Sequence, residues 1–122
     1  MEIGLTHTAS VFVTESNTAR AMGSGDLPVF ATPALVALME NAAMQAVAAS
    51  LPEGSTTVGA AIDVAHVKPT AMGEAVRATA ELTAVDGRKL TFSLHAEDAH
   101  GEVGRGTHVR YVVDRERFMS KL

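Results

Sequence analysis

Three polar residues stand where the pattern of this sequence asks for apolar ones, and their types are those of nucleophilic and acid–base chemistry: Thr32, Glu40 and His66. Glu40 lies between Met39 and Met44 in an alanine- and leucine-rich run, and a lone buried carboxylate is costly unless it is paired, hydrogen-bonded or protonated. The alternative places it on a partly exposed stripe with Asn41 and Gln45. His66 falls in register with Val58, Ile62 and Val64, which turns its ring inward. It is either a satisfied packing residue or, beside a helix that carries a carboxylate, part of an acid–base pair. Thr32 precedes Pro33, and a helix cap is sufficient to explain it. The same helix end presents unpaired N–H groups and partial positive charge, which suit an oxyanion developing on a carbonyl. Thr32 and Glu40 are eight residues apart, about 12 Å along a helix, so a substrate or water between them is easier than direct contact.

The other candidates are weaker. Gly101, Gly104 and Gly106 lack GxGxxG spacing and read as bulges or points of close backbone approach. There is no GxSxG and no HExxH, and His7, His95, His100 and His108 show no metal-ligand spacing, so no metal is expected. Arg105, Arg110, Arg115 and Arg117 cluster late in the chain, as a solvated face or as a patch for the phosphates of a nucleotide-bearing molecule.

The elements that must position these groups are legible from periodicity. Leu5 to Thr14 reads as a strand, and residues 15–28 as a polar loop. Thr32-Pro33 starts a helix that runs to Ser50 and is apolar almost all round, so most of its circumference must be covered. From Thr57 to Lys68 the even positions Val58, Ala60, Ile62 and Val64 lead to His66, with Asp63 among the odd ones, and from Glu74 to Val85 the apolar Val76, Ala78, Ala80, Leu82 and Ala84 alternate with Arg77, Thr79, Glu81 and Thr83, the mark of a sheet with one face on a core. Asp86-Gly87 predicts a tight hairpin into Leu90, Phe92, Leu94 and Ala96. A turn at Asp98–Gly101 leads to a strand from Glu102 to Val113, and Asp114 to Lys121 predicts a short terminal helix. The result is an α+β domain spanning 1–122, a curled antiparallel sheet around one long helix. Small Gly59, Ala61 and Ala65 on the predicted solvent side suggest that their strand meets a second copy.

Composition bounds the class. The chain has 122 residues, a net charge of −4 and no cysteine, which excludes disulfide scaffolds, thiolate metal sites and a cysteine nucleophile. Mild acidity argues against nucleic acid. Alanine occupies 21 positions against 4% aromatics, so the core is built from small side chains. No stretch reads as a membrane span or a secretory leader, and a cytoplasmic location is the default.

The segments "VFATPALVALMENAAM", "TTVGAAIDVAHVKPTAMGEAVRATAELTAVDGRKLTFSLHAED" and "GEVGRGTHVRYVVDRERF" resemble the fluoroacetyl-CoA thioesterase-like branch of the hotdog-fold thioesterases, from about Val11 to Phe118. The resemblance implies a hotdog fold, hydrolysis of an acyl-CoA thioester to an acid and free coenzyme A, and assembly as a homodimer or a dimer of dimers. By it Thr32, Glu40 and His66 form the catalytic set, while Gly59 and Arg110 contact substrate. Coenzyme A enters as substrate and leaves as product, so no separate cofactor is implied. Thr32 acts either as nucleophile or by positioning water. A non-catalytic acyl-CoA or small-ligand binding module on the same scaffold is the rival reading. A hotdog hydratase ranks below it, because no second aspartate–histidine pair stands at suitable spacing.

Overall fold

A computed structural model describes the chain from Met1 to Leu122. Its strands are β1 (Thr6–Phe12), β2 (Ser55–His66), β3 (Ala75–Asp86), β4 (Lys89–Asp98) and β5 (Gly101–Asp114). Its helices are the short α1 (Ala19–Met22), the long α2 (Thr32–Ala48) and the terminal α3 (Arg115–Ser120). The strands make one antiparallel sheet in the order β1-β3-β4-β5-β2. Hairpins join β3 to β4 and β4 to β5; in the first, Asp86 pairs with Lys89, and Gly87 takes the left-handed conformation at φ 60°. The link from β2 to β3 crosses the sheet instead, which leaves β1 and β2 as its two edges.

Helix α2 lies on the inner face of the sheet. Leu35, Leu38, Met39, Ala42, Ala43 and Val47 pack against the inner row of β3 and β4, including Val76, Ala78, Ala80, Leu82 and Phe92. Full burial of one such leucine or methionine stabilises by about 1.5–3 kcal/mol. Small residues let the layers close: a Cβ placed on Gly104 of β5 would stand 2.9 Å from Leu35 Cδ2. The glycine-rich strand therefore marks close approach, as its spacing suggested.

Four details depart from the sequence pattern. The sheet leaves a stripe of α2 exposed at Pro33, Ala37, Asn41, Met44, Gln45 and Ala48, so the helix is not covered on all sides. Its cap is Ala31, with no side-chain bond, and Thr32 is already helical; the hydroxyl is engaged elsewhere. A register shift between Gly59 and Ala61 reverses the facing of β2. Beyond it Ile62 and Val64 face the core, but ahead of it Thr57 and Gly59 turn inward, so Gly59 does not lie on the solvent side. A like shift between Leu82 and Ala84 puts Ala84 outside.

Candidate active site

The inner face carries two polar groups, one at each end of β2. At the far end, the Thr32 hydroxyl and His66 Nδ1 stand 2.8 Å apart in a hydrogen bond. Thr32 comes from the first turn of α2 and His66 from the last residue of β2, so the bond joins the two layers. Burial pushes the His66 ring below the ordinary histidine value; the Lys68 backbone opposes this and the Lys68 charge adds to it. The ring is therefore neutral at pH 7 and able to accept a proton. Its Nε2 is buried without a hydrogen-bond partner in the chain. Thr32 and His66 line a cleft of about 290 Å³ with Phe30, Lys68 and Pro69.

At the near end, Glu40 Oε2 lies 3.7 Å from Arg110 Nη1. The guanidinium is fixed on its other sides: Arg110 Nε donates to Thr57 Oγ1 at 2.8 Å, and Nη2 to the Thr57 carbonyl at 3.0 Å. Arg110 Nη1 also stands 3.2 Å from His108 Nε2. A guanidinium has no acceptor, so His108 Nε2 accepts and its Nδ1–H donates to the Ala61 carbonyl at 2.7 Å. Burial, with the Arg110 charge, holds His108 below the ordinary histidine value and neutral, against the Ala61 carbonyl and Glu40. A Cβ on Gly59 would meet Glu40 Oε2 at 2.6 Å, so the carboxylate occupies space that only glycine leaves open.

The five residues singled out from the sequence thus fall into two clusters, Thr32 with His66 and Glu40 with Gly59 and Arg110. Glu40 is neither enclosed in the core nor free on the surface: its side chain is 41% exposed and faces Arg110. Arg110, 6% exposed, leaves the expected arginine patch entirely; Arg105 pairs with Glu102, and Arg115 and Arg117 lie on α3. Sequence reading missed His108, Thr57 and Asp98. His108 and Arg110 share the even-numbered inner face of β5, and Asp98 extends the inner row Leu90, Phe92, Leu94, Ala96; period-two counting carried one stride past Ala96 and along β5 would have found Asp98 and His108, whereas the register shift in β2 hides Thr57. No three His, Asp or Glu side chains stand together as a metal cage, and no helix is long and apolar enough to cross a membrane.

This arrangement has close relatives. Residues 13–116 match the family described as FlK, fluoroacetyl-CoA-specific thioesterase. The fluoroacetyl-CoA thioesterase of Streptantibioticus cattleyicolor is 44% identical over 94 residues, covering 77% of this chain and 68% of that protein. A solved structure of a threonine-to-serine variant of a fluoroacetyl-CoA thioesterase in complex with acetyl-CoA superposes with a TM-score of 0.92 at 37% identity, covering 99% of this chain and 96% of that one. A thioesterase-superfamily protein from Thermus thermophilus, 23% identical, shares the fold with a TM-score of 0.90 over 98% of this chain and 89% of its own. With the family model spanning most of its length, the chain belongs to the fluoroacetyl-CoA-specific thioesterase family: it is a hotdog-fold acyl-CoA thioester hydrolase.

Proposed function

We propose that hydrolysis is carried out by Thr32, His66 and Glu40 in a site completed by two copies of the chain. The observation that carries this is the separation of the clusters. Gly59, beside Glu40, and His66, beside Thr32, are seven residues apart on one strand, about 23 Å when extended, too far to act on one thioester carbon. Strand β2 is a sheet edge. Antiparallel pairing of β2 with its copy about a two-fold axis near Asp63 would bring Gly59, Glu40 and Arg110 of one chain opposite the partner's Thr32 and His66. Two identical sites per dimer follow from the symmetry.

In this reading the neutral His66 ring accepts the Thr32 hydroxyl proton through Nδ1 as Oγ1 attacks the thioester carbonyl. The N–H groups of Thr32 and Ala34 have no acceptor within the helix and face the developing oxyanion. As the carbon–sulfur bond breaks, His66 returns the proton to the coenzyme A sulfur. Water, deprotonated by Glu40 across the interface, then attacks the acyl carbon; the bond to Thr32 Oγ1 breaks, the proton held by Glu40 passes to Oγ1, and the acid is released with Thr32 restored. Arg110 holds the Glu40 carboxylate, and the absent side chain of Gly59 leaves it room.

The substrate class is a short acyl-CoA, in keeping with the fluoroacetyl- and acetyl-CoA named for the relatives. Thiol release from acetyl-, fluoroacetyl- and longer acyl-CoAs tests it, with Thr32→Ala, Glu40→Gln and His66→Ala each expected to lose about a hundredfold or more in kcat. Mixing separately inactive Glu40→Gln and His66→Ala chains should restore activity, because one site of each mixed dimer is intact. No recovery after subunit exchange would overturn the shared site. Binding of acyl-CoA without turnover across the panel would favour a binding module instead.

A further inference from the structure

We propose that Asp98 is a positioning residue, holding through Lys68 and Thr70 the two chain segments that bring Thr32 and His66 together. This rests on the catalytic reading of that pair. Asp98 closes the inner row of β4 and is 4% exposed, where the apolar register calls for another hydrophobic residue. A buried carboxylate adds little net stability even when paired, so its contribution lies in the geometry it imposes.

Both carboxylate oxygens are engaged by donors. Oδ2 accepts from Lys68 Nζ and, at 2.8 Å, from the Thr70 hydroxyl; Oδ1 accepts from the His100 backbone N–H at 2.8 Å. Lys68 and Thr70 lie two and four residues past His66, in the irregular link that leaves β2. That link has little apolar anchorage: Val67 is 46% and Met72 41% exposed, whereas Thr70 is 1% exposed. The Thr70 carbonyl in turn accepts the Phe30 N–H at 3.0 Å, two residues before Thr32. One carboxylate therefore ties the segment after His66 to the segment before Thr32. Burial alone would raise its pKa, but Lys68, the His100 N–H and Thr70 hold it at about 2, so the tie persists across the working pH range.

The test compares full-length Asp98→Asn, Thr70→Val and Thr70→Ser by steady-state thiol release and by NMR of the His66 ring, assigned through His66→Ala. Asp98→Asn and Thr70→Val should lower kcat about tenfold or more while KM stays within about twofold, and should shift the ring signals; Thr70→Ser should recover both. Folded variants with unchanged kcat and ring signals, or a Thr70→Ser as slow as Thr70→Val, would overturn the proposal. Should Asp98→Asn fail to fold, the Thr70 pair decides. If His66→Ala instead keeps full activity, the catalytic reading fails, while the ring signals still report whether Asp98 places His66.

Discussion

At the scale of single residues, the site works by excluding alternatives around a few polar groups. Gly59 is the sharpest case, since any Cβ there meets the Glu40 carboxylate at 2.6 Å. Gly59→Ala should keep the fold, displace Glu40 and lower kcat by about tenfold or more, read by thiol release beside an unchanged far-UV spectrum. On the proposed mechanism His66 would set the pH response. Because burial lowers its pKa, the base is already present at neutrality, and kcat/KM should fall on acidification only through a pKa below the ordinary 6.5 or so. A pH–rate profile with its acid limb at or above 6.5 would contradict that assignment. His108 supports Arg110 by accepting from it. His108→Phe leaves the guanidinium one partner short at a buried site and should cost about 1–3 kcal/mol of stability, measured by denaturant unfolding.

At the scale of elements, the end of β4 and the link after β2 form one unit through Asp98. The sign of its pH dependence follows from its depressed pKa. The unfolded carboxylate titrates near 4 and the folded one at about 2, so the stabilisation is complete above pH 4 and is lost as pH falls through 2. Thermal unfolding between pH 5 and pH 2 should show a steeper loss of Tm for the native chain than for Asp98→Asn. Strand β2 illustrates how an element resists reading. Its even positions from Val58 to Val64 are apolar, yet the register shift at Gly59–Ala61 exchanges the faces, bringing Thr57 and Gly59 inward. A bulge inserts one residue against the partner strand, and nothing in the local sequence announces which residue that is.

At the scale of the whole molecule, the proposed shared site would make assembly part of catalysis. Specific activity should fall on dilution in step with the loss of dimer mass, followed by light scattering, and an isolated chain should be inactive. Activity independent of concentration down to a demonstrated monomer would refute the shared site. The exposed stripe of α2 and the edge of β2 lie on the molecule as surfaces that a single copy leaves open.

The amino-acid order by itself determined the long helix, the one-sided strands and the hairpin at Gly87, because each is written in local periodicity or turn chemistry. It also set apart Thr32, Glu40 and His66, because a polar residue in an apolar register is visible one residue at a time. Only the tertiary structure decided which of them meet. Thr32 reaches His66 across 34 positions, and Glu40 faces Arg110 from another layer. The same holds for the buried supports Asp98 and His108, whose partners lie in the link after β2 and in β2 itself. Such contacts depend on strand order, bulge position and the crossing of helix over sheet, and these are settled by packing of the whole chain.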